Sequence, residues 1–183
     1  MRIVAGAWRG RVLVAPPGSA TRPTADRVRQ ALFDMLMHAP WGGREAVEGA
    51  LVLDAFAGTG ALGLEALSRG AAEAVFFEAD QAALAALRAN VAACKAGERA
   101  RVVGGDVLRA GAAPAAPRTL IFLDPPYGQG LVQQSLNVLR AQKWLAPGCL
   151  VIAEQARLDP VEKGVALLAQ RVHGAALLNV WRE

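Results

Sequence analysis

The stretch Leu51-Val52-Leu53-Asp54-Ala55-Phe56-Ala57-Gly58-Thr59-Gly60-Ala61-Leu62-Gly63 constrains this chain more than any other. An apolar run enters a glycine turn and leaves as a helix, the order expected where a buried strand of an open α/β sheet hands over to its crossover helix. Gly58 and Gly60 let the backbone turn sharply and approach a ligand closely. The spacing Gly58-x-Gly60-x-x-Gly63, with Glu78 twenty residues after Gly58, also matches a dinucleotide-binding fingerprint. The loop therefore indicates a ligand that carries a nucleoside, and the glycines leave its identity open.

Asp54 separates the alternatives. A carboxylate four residues before Gly58 sits badly beside a pyrophosphate but well beside the ammonium group of S-adenosylmethionine, which has no phosphate. The expected contacts to this donor come from Asp54, Phe56, Gly58, Thr59 and Gly60. Glu78, closing the next apolar run, would accept from the ribose hydroxyls, and Asp106 in Gly104-Gly105-Asp106-Val107 would accept from the adenine amine. Taken singly, each acid also reads as a capping or solvated residue. A nicotinamide oxidoreductase is the rival, and it requires a cofactor that S-adenosylmethionine cannot displace.

The rest of the chain fits a sheet built around that loop. Short apolar runs at 51–53, 74–77, 102–103, 120–123 and 150–153 alternate with helical stretches at 60–68, 81–94 and 131–145, which predicts a mostly parallel sheet covered on both faces. Residues 111–117 read as an Ala/Pro/Gly loop, and 165–172 with 175–181 as a closing antiparallel hairpin around Gly174. The fold class expected is α/β, Rossmann-like, with an N-terminal extension. In that extension, residues 2–14 read as two strands around a glycine turn, followed by a helix over 25–37 capped by Thr24 and stopped by Pro40, Gly42 and Gly43. The predicted division is 1–45 for the hairpin and helix and 46–183 for the main domain.

The run at 119–123 leads into Asp124-Pro125-Pro126-Tyr127. An exocyclic amine on guanine or adenine is a poor nucleophile because its lone pair is delocalised into the ring. Two acceptors can rehybridise it, and the Asp124 carboxylate and a prolyl carbonyl, Pro125 ahead of Pro126, supply them. The paired prolines fix their φ angles and bring no competing N–H. Tyr127 offers a face on which an extruded base can stack. Asp124 is assigned first as a hydrogen-bond acceptor and second as a base.

Charge adds a partner. The net charge is +4, and before residue 45 the cations Arg2, Arg9, Arg11, Arg22, Arg27, Arg29 and Arg44 face only Asp26 and Asp34. That basic end suits a polyanion, and Trp8 between such arginines suits RNA stacking as well as it suits packing. Cys94 and Cys149 are widely separated and have no neighbouring histidine cluster; two buried thiols are expected, with no metal site. The first residues lack the apolar core of a signal peptide, and no apolar run is long enough for a membrane span, so the expectation is a cytoplasmic protein with no membrane partner. His38, His173, Trp41, Trp144 and Trp181 read as ordinary surface or packing residues.

These residues together resemble the 16S ribosomal RNA guanine N2-methyltransferases of the RsmD type. The likeness is carried by Gly6 to Arg11, Arg22-Pro23-Thr24 followed by Asp26-Arg27-Val28-Arg29, Leu32-Phe33, Asp54 to Gly60, Gly63-Leu64-Glu65-Ala66, Ser68-Arg69-Gly70-Ala71, and Asp124 to Tyr127. It implies a class I methyltransferase fold with a seven-stranded sheet, and transfer of methyl from S-adenosylmethionine to one guanine, G966. It further implies a substrate within the small ribosomal subunit, a monomer, and Arg22, Thr24 and Arg27 near the mouth of the site, joining Trp8, Arg9 and Arg11 as RNA contacts. Where the family tends to have Tyr-Gly-x-Thr, this chain has His173-Gly174-Ala175-Ala176, so the C-terminal hairpin carries no assigned function. An adenine N6-methyltransferase acting on DNA or RNA would share the donor and the Asp-Pro-Pro-Tyr turn; the short chain shows no separate DNA-recognition domain.

Overall fold

A computed structural model describes residues 1–16, 23–114, 116–157, 165–174 and 176–183, apart from the side chains of 23–25 and 173. Seven strands form one sheet: β1 (Leu51–Asp54), β2 (Glu73–Glu78), β3 (Ala100–Gly104), β4 (Arg118–Leu123), β5 (Leu145–Ala156), β6 (Leu167–His173) and β7 (Ala176–Arg182). Their order is β3-β2-β1-β4-β5-β7-β6. The first five are parallel, and β7 runs antiparallel between β5 and β6.

Near-continuous apolar runs are what this arrangement demands, because the central strands are buried on both faces. Val52, Phe76, Leu120, Phe122 and Ile152 point into one core with Phe33, Leu36, Leu64 and Leu87, from α1 (Pro23–His38), α2 (Ala61–Ser68) and α3 (Gln81–Ala93). Leu53, Val75, Phe77, Ile121 and Leu123 point the other way, onto Leu136 and Leu139 of α4 (Leu131–Ala141) and onto Trp144 and Trp181. Adjacent residues of one strand thus serve opposite cores, as the two-residue period of a strand requires. Both cysteines are buried and free.

One N-terminal expectation needs correction. The helix begins at Pro23, so Thr24 lies in its first turn and is not its cap; proline suits that opening position because its missing N–H is not needed there. Residues 2–14 close as a minimal hairpin around a 3-10 turn at Gly6–Trp8: Arg2 bridges Val12 antiparallel, Ile3 N donates to Arg11 O at 2.9 Å, Leu13 N to Met1 O at 3.0 Å and Gly10 N to Ile3 O at 2.8 Å.

The arm is also held from below. Ile3 and Leu13 are buried in the same core as β1 and α1, and backbone N–H groups of Val4 and Ala5 donate to the two oxygens of Glu65 at 2.8 and 3.0 Å. Trp8 donates its N–H to Ser68 Oγ at 2.9 Å, and that hydroxyl donates to Ala5 O at 2.6 Å. Gly6 has φ +79°, and a Cβ there would lie 1.9 Å from Ser68 O. The arm therefore rests on α2, the helix that follows the glycine loop.

Glu65 is fully buried and also accepts from Arg69 Nε at 2.8 Å and Arg29 Nε at 3.4 Å. Removing one partner from a buried charge network is far more costly than breaking a surface pair. Glu65→Ala should lower unfolding free energy in urea by about 3–5 kcal/mol; a loss below ~1 kcal/mol would mean that arm and helix are held by apolar packing alone.

Candidate active site

The strand order reverses between β1 and β4, and ligands of open α/β sheets lie in the crevice beyond the strand ends at such a point. Here the crevice is a cavity of about 750 Å³ whose wall includes Asp54, Phe56, Gly58, Glu78, Asp106 and Asp124. Its glycine loop is set by backbone conformation: Gly58 and Gly60 have φ of +54° and +81°, a left-handed region costly for other residues.

Side chains then fix the loop to its neighbours. Glu78, ending β2, accepts from Gly58 N at 2.6 Å with one oxygen and from Asp80 N at 2.7 Å with the other. Ala57 N donates to Phe77 O at 2.9 Å, and Asp54 accepts from Gly63 N at 2.9 Å, near the start of α2. Asp106 accepts from Leu108 N at 2.9 Å, while its second oxygen has no partner among the described residues. Glu78 and Asp106 thus hold the backbone of the loops and retain acceptor capacity toward the cavity.

β4 delivers Asp124 to the same wall, together with Pro125 and Pro126. Asp124 opens onto the cavity, and its carboxylate has no hydrogen-bond partner among the described residues. Although the residue is exposed at the mouth of the crevice, partial desolvation there, followed by repulsion from Glu154 and then Asp54, pushes its pKa up to about 7. Asp54, 1% exposed, is also pushed up to about 7; burial dominates and Glu78 adds repulsion, against the opposing bond from Gly63. No lysine or arginine among the described residues lines this cavity. Its wall therefore favours a cationic ligand and disfavours a pyrophosphate, which fits S-adenosylmethionine and speaks against a nicotinamide dinucleotide.

Of the residues expected at the site, Asp54, Phe56, Gly58, Thr59, Glu78, Asp106, Asp124, Pro125 and Pro126 are brought together on one wall. Gly60 is not on it; a Cβ there would meet Leu87 at 2.4 Å, so this glycine shapes the turn from behind. Tyr127 is not on it either. Its ring is half exposed, and its hydroxyl donates to Glu154 at 2.5 Å, an interaction that raises the phenol's pKa after the larger effect of desolvation.

On the arm, Arg9 and, on α1, Arg27 are exposed and have no partner among the described residues. Arg11 is also exposed, but its guanidinium donates to Ala93 O at the end of α3, and the guanidinium of Arg99 lies 5.2 Å from the centre of the Trp8 ring. Trp8 is therefore half-buried and covered rather than a free stacking face. Arg22 lies outside the described residues, as does the Thr24 side chain.

Glu65, legible in the sequence only as part of a motif, and Glu154 and Asn90 carry structural weight that their local sequence does not announce. Asn90 is buried; it donates to Thr59 O at 2.9 Å and Val14 O at 3.0 Å and accepts from Val14 N at 2.8 Å, tying the arm to the glycine loop. The available signal was a polar residue within an otherwise apolar helix stripe.

A family model described as conserved hypothetical protein 95 matches residues 1–182. The chain is 44% identical over 165 residues to the ribosomal RNA small subunit methyltransferase D of Escherichia coli strain K12, covering 90% of this chain and 77% of that protein. A solved structure of the putative methyltransferase yhhF from Escherichia coli superposes with a TM-score of 0.83 at 38% identity, covering 100% of this chain and 97% of that one. An RNA methyltransferase from Salinibacter ruber, solved with S-adenosyl-L-homocysteine, shares the fold at a TM-score of 0.62 and 18% identity, over 90% of this chain and 93% of that one.

The raised acids make ligand binding pH-dependent. Because the folded-state pKa of Asp54 lies above the ordinary 3.8 of a free aspartate, its protonated form stabilises the ligand-free fold at low pH, and this contribution is lost as pH rises through about 7. A cationic ligand favours the carboxylates instead. Calorimetric affinity for S-adenosylmethionine should strengthen several-fold between about pH 6 and pH 8, with a shallower rise for Asp54→Asn; a flat profile in the unaltered protein would remove these acids from the donor site.

Proposed function

The chain belongs to the RsmD-type family of ribosomal RNA methyltransferases, and on that premise we propose that it methylates the exocyclic N2 amine of one guanine, G966, in 16S ribosomal RNA. It is an S-adenosylmethionine-dependent enzyme. We assign its substrate to the small subunit in the cytoplasm, its working form to a monomer, residues 1–45 to RNA contact and residues 46–183 to catalysis. The observation that carries the reading is Asp124, a carboxylate with no partner among the described residues, set beside two prolines on the wall of a cation-favouring cavity.

The donor, held by Asp54, Phe56, Gly58, Thr59, Glu78 and Asp106, supplies an electrophilic methyl carbon whose bond to sulfur breaks as sulfur keeps the electron pair. The protein's own task is to make a flat amine attack. Asp124 accepts one N–H of the amine and the Pro125 carbonyl the other, which draws the nitrogen out of conjugation and fixes the direction of its lone pair. Pro125 and Pro126 hold that carbonyl with fixed φ and no N–H of their own. Once the N–C bond has formed, the surplus proton passes from nitrogen to Asp124, whose raised pKa suits it to receive a proton near neutrality.

Arg9 and Arg27, exposed and free of protein partners among the described residues, are the cations best placed to pay out their charge to phosphates. Arg11 does so only by giving up its bond to Ala93 O.

With small subunits lacking the mark, nucleoside analysis after radiolabelled transfer should yield N2-methylguanosine; N6-methyladenosine would overturn the assignment. Asp124→Asn should lower kcat by roughly a thousandfold while donor affinity stays within about threefold, because the carboxylate acts on the amine. The double variant Arg9→Ala, Arg27→Ala should reduce the slope of log affinity for RNA against log salt by about 2, leaving donor binding unchanged; an unaltered slope would place the RNA on another face.

A further inference from the structure

Five parallel strands each carry an acid at or just beyond the catalytic edge of the sheet. In strand order they are Asp106 (β3), Glu78 (β2), Asp54 (β1), Asp124 (β4) and Glu154 (β5). The first four line the donor cavity, and Glu154 does not. Leu123 pairs with Ala153, so Glu154 stands one register step on, beside Asp124 and on the side away from β1.

Among the described residues Glu154 has no cation partner. Its Oε1 accepts from the Tyr127 hydroxyl at 2.5 Å, and its other oxygen has no partner among the described residues. That leaves a half-used carboxylate beside the residue that holds the target amine, reached through the side chain assigned to stack the base. Its proximity to Asp124 is also felt electrostatically, as the largest charge effect on that residue.

An edge built from acceptors alone selects a base edge built from donors alone. Guanine presents N1–H next to its two N2 hydrogens, whereas adenine places an unprotonated N1 acceptor next to its amine. Asp124 and the Pro125 carbonyl take up the amine hydrogens, which leaves N1–H for the next acceptor along. We propose that Glu154 is a specificity-determining residue that accepts the N1–H of the target guanine and rejects purines whose N1 is an acceptor, an inference that rests on the guanine N2 reading above. Tyr127, by holding one carboxylate oxygen, orients the other.

The test uses small-subunit RNA ligated to carry either guanine or 2-aminopurine at the target position. Both bases have a 2-amino group, but the N1 of 2-aminopurine is an acceptor. The unaltered enzyme should prefer guanine by about a hundredfold or more in kcat/KM, since a half-buried carboxylate that the bound base covers and meets with a bare acceptor is left unpaired. In Glu154→Gln the carboxamide can donate to N1, and the preference should shrink at least about tenfold, with donor affinity by calorimetry within about twofold. Tyr127→Phe should slow both substrates and keep most of the preference.

Equal slowing of both substrates by Glu154→Gln, with the preference intact, would reduce Glu154 to a support for Tyr127 and overturn the proposal. Should that variant fail to bind donor, Glu154→Asp decides: a shorter acceptor must lower guanine turnover while 2-aminopurine stays rejected, and unchanged guanine turnover overturns the proposal. Failure of the unaltered enzyme to produce N2-methylguanosine on the guanine RNA is a separate outcome, which removes the function reading and this inference with it.

Discussion

The reversal of strand order between β1 and β4 is the constraint on which the rest of the molecule depends. Two parallel strands side by side whose crossover helices leave in opposite directions cannot both be covered at their carboxyl ends, so a crevice opens there. Everything chemical in the chain is placed at its lips: Asp54 ends one strand, and Asp124 follows the other. Because parallel strands are pinned by a slanted ladder and buried on both faces, these two acids cannot drift apart without disturbing both cores. The proximity of two carboxylates is thus imposed by topology; desolvation is the main cause of their raised pKa values, with Glu78 adding repulsion at Asp54, and Glu154 ahead of Asp54 adding it at Asp124.

Glu65 performs a different kind of fixing. A charge at zero exposure is costly unless every lone pair is used, and here two backbone N–H groups and two guanidinium N–H groups use them. These partners come from the arm, α1 and α2. The same helix, α2, begins at the glycine loop, where Asp54 accepts from Gly63. The N-terminal segment proposed to contact RNA is therefore referenced, through one carboxylate, to the element that carries the glycine loop. Met1 reaches the cavity wall, and Thr59 Oγ1 lies 3.7 Å from its sulfur, so the arm touches the donor site directly as well.

How much of this was legible in the sequence depended on whether a residue announces a local conformation or a distant partner. Strand runs, the glycine turn, the parallel sheet with its closing antiparallel pair and the acids at strand ends were readable, since periodicity and glycine spacing are local signals. The antiparallel pairing of the arm was legible in its alternation and glycines, but the backbone N–H groups of Val4 and Ala5 go to Glu65, sixty or so residues away, and nothing within residues 2–14 shows that. Thr24 was misplaced because the cap signal of a threonine competes with proline's preference for the first helical turn. Gly60 and Gly58 look alike in the motif, yet only Gly58 faces the cavity, a distinction made by Leu87 from α3 packing behind Gly60. Glu154 was missed for the opposite reason: an acid within an apolar strand carries meaning only once its neighbour across the sheet is known to be Asp124.

The charge balance of the site explains why its chemistry needs no histidine. Before transfer, a carboxylate at residue 124 faces a cation, a pairing that lowers the cost of ionising a group otherwise inclined to stay protonated near pH 7. After transfer the cation is gone, and the amine has a proton to lose. If that proton moves to Asp124, the wall ends with one charge fewer on each side, so Asp124 is not left ionised without the cation it faced. The raised pKa that looks like a liability in the free protein is what makes the acid an acceptor matched to the proton it must take. Glu154, on the side of Asp124 away from the donor, keeps that pKa high by a field that does not depend on the donor's charge, so the two carboxylates flanking Asp124 serve different moments: Asp54 belongs to the cationic ligand, and Glu154 to the base.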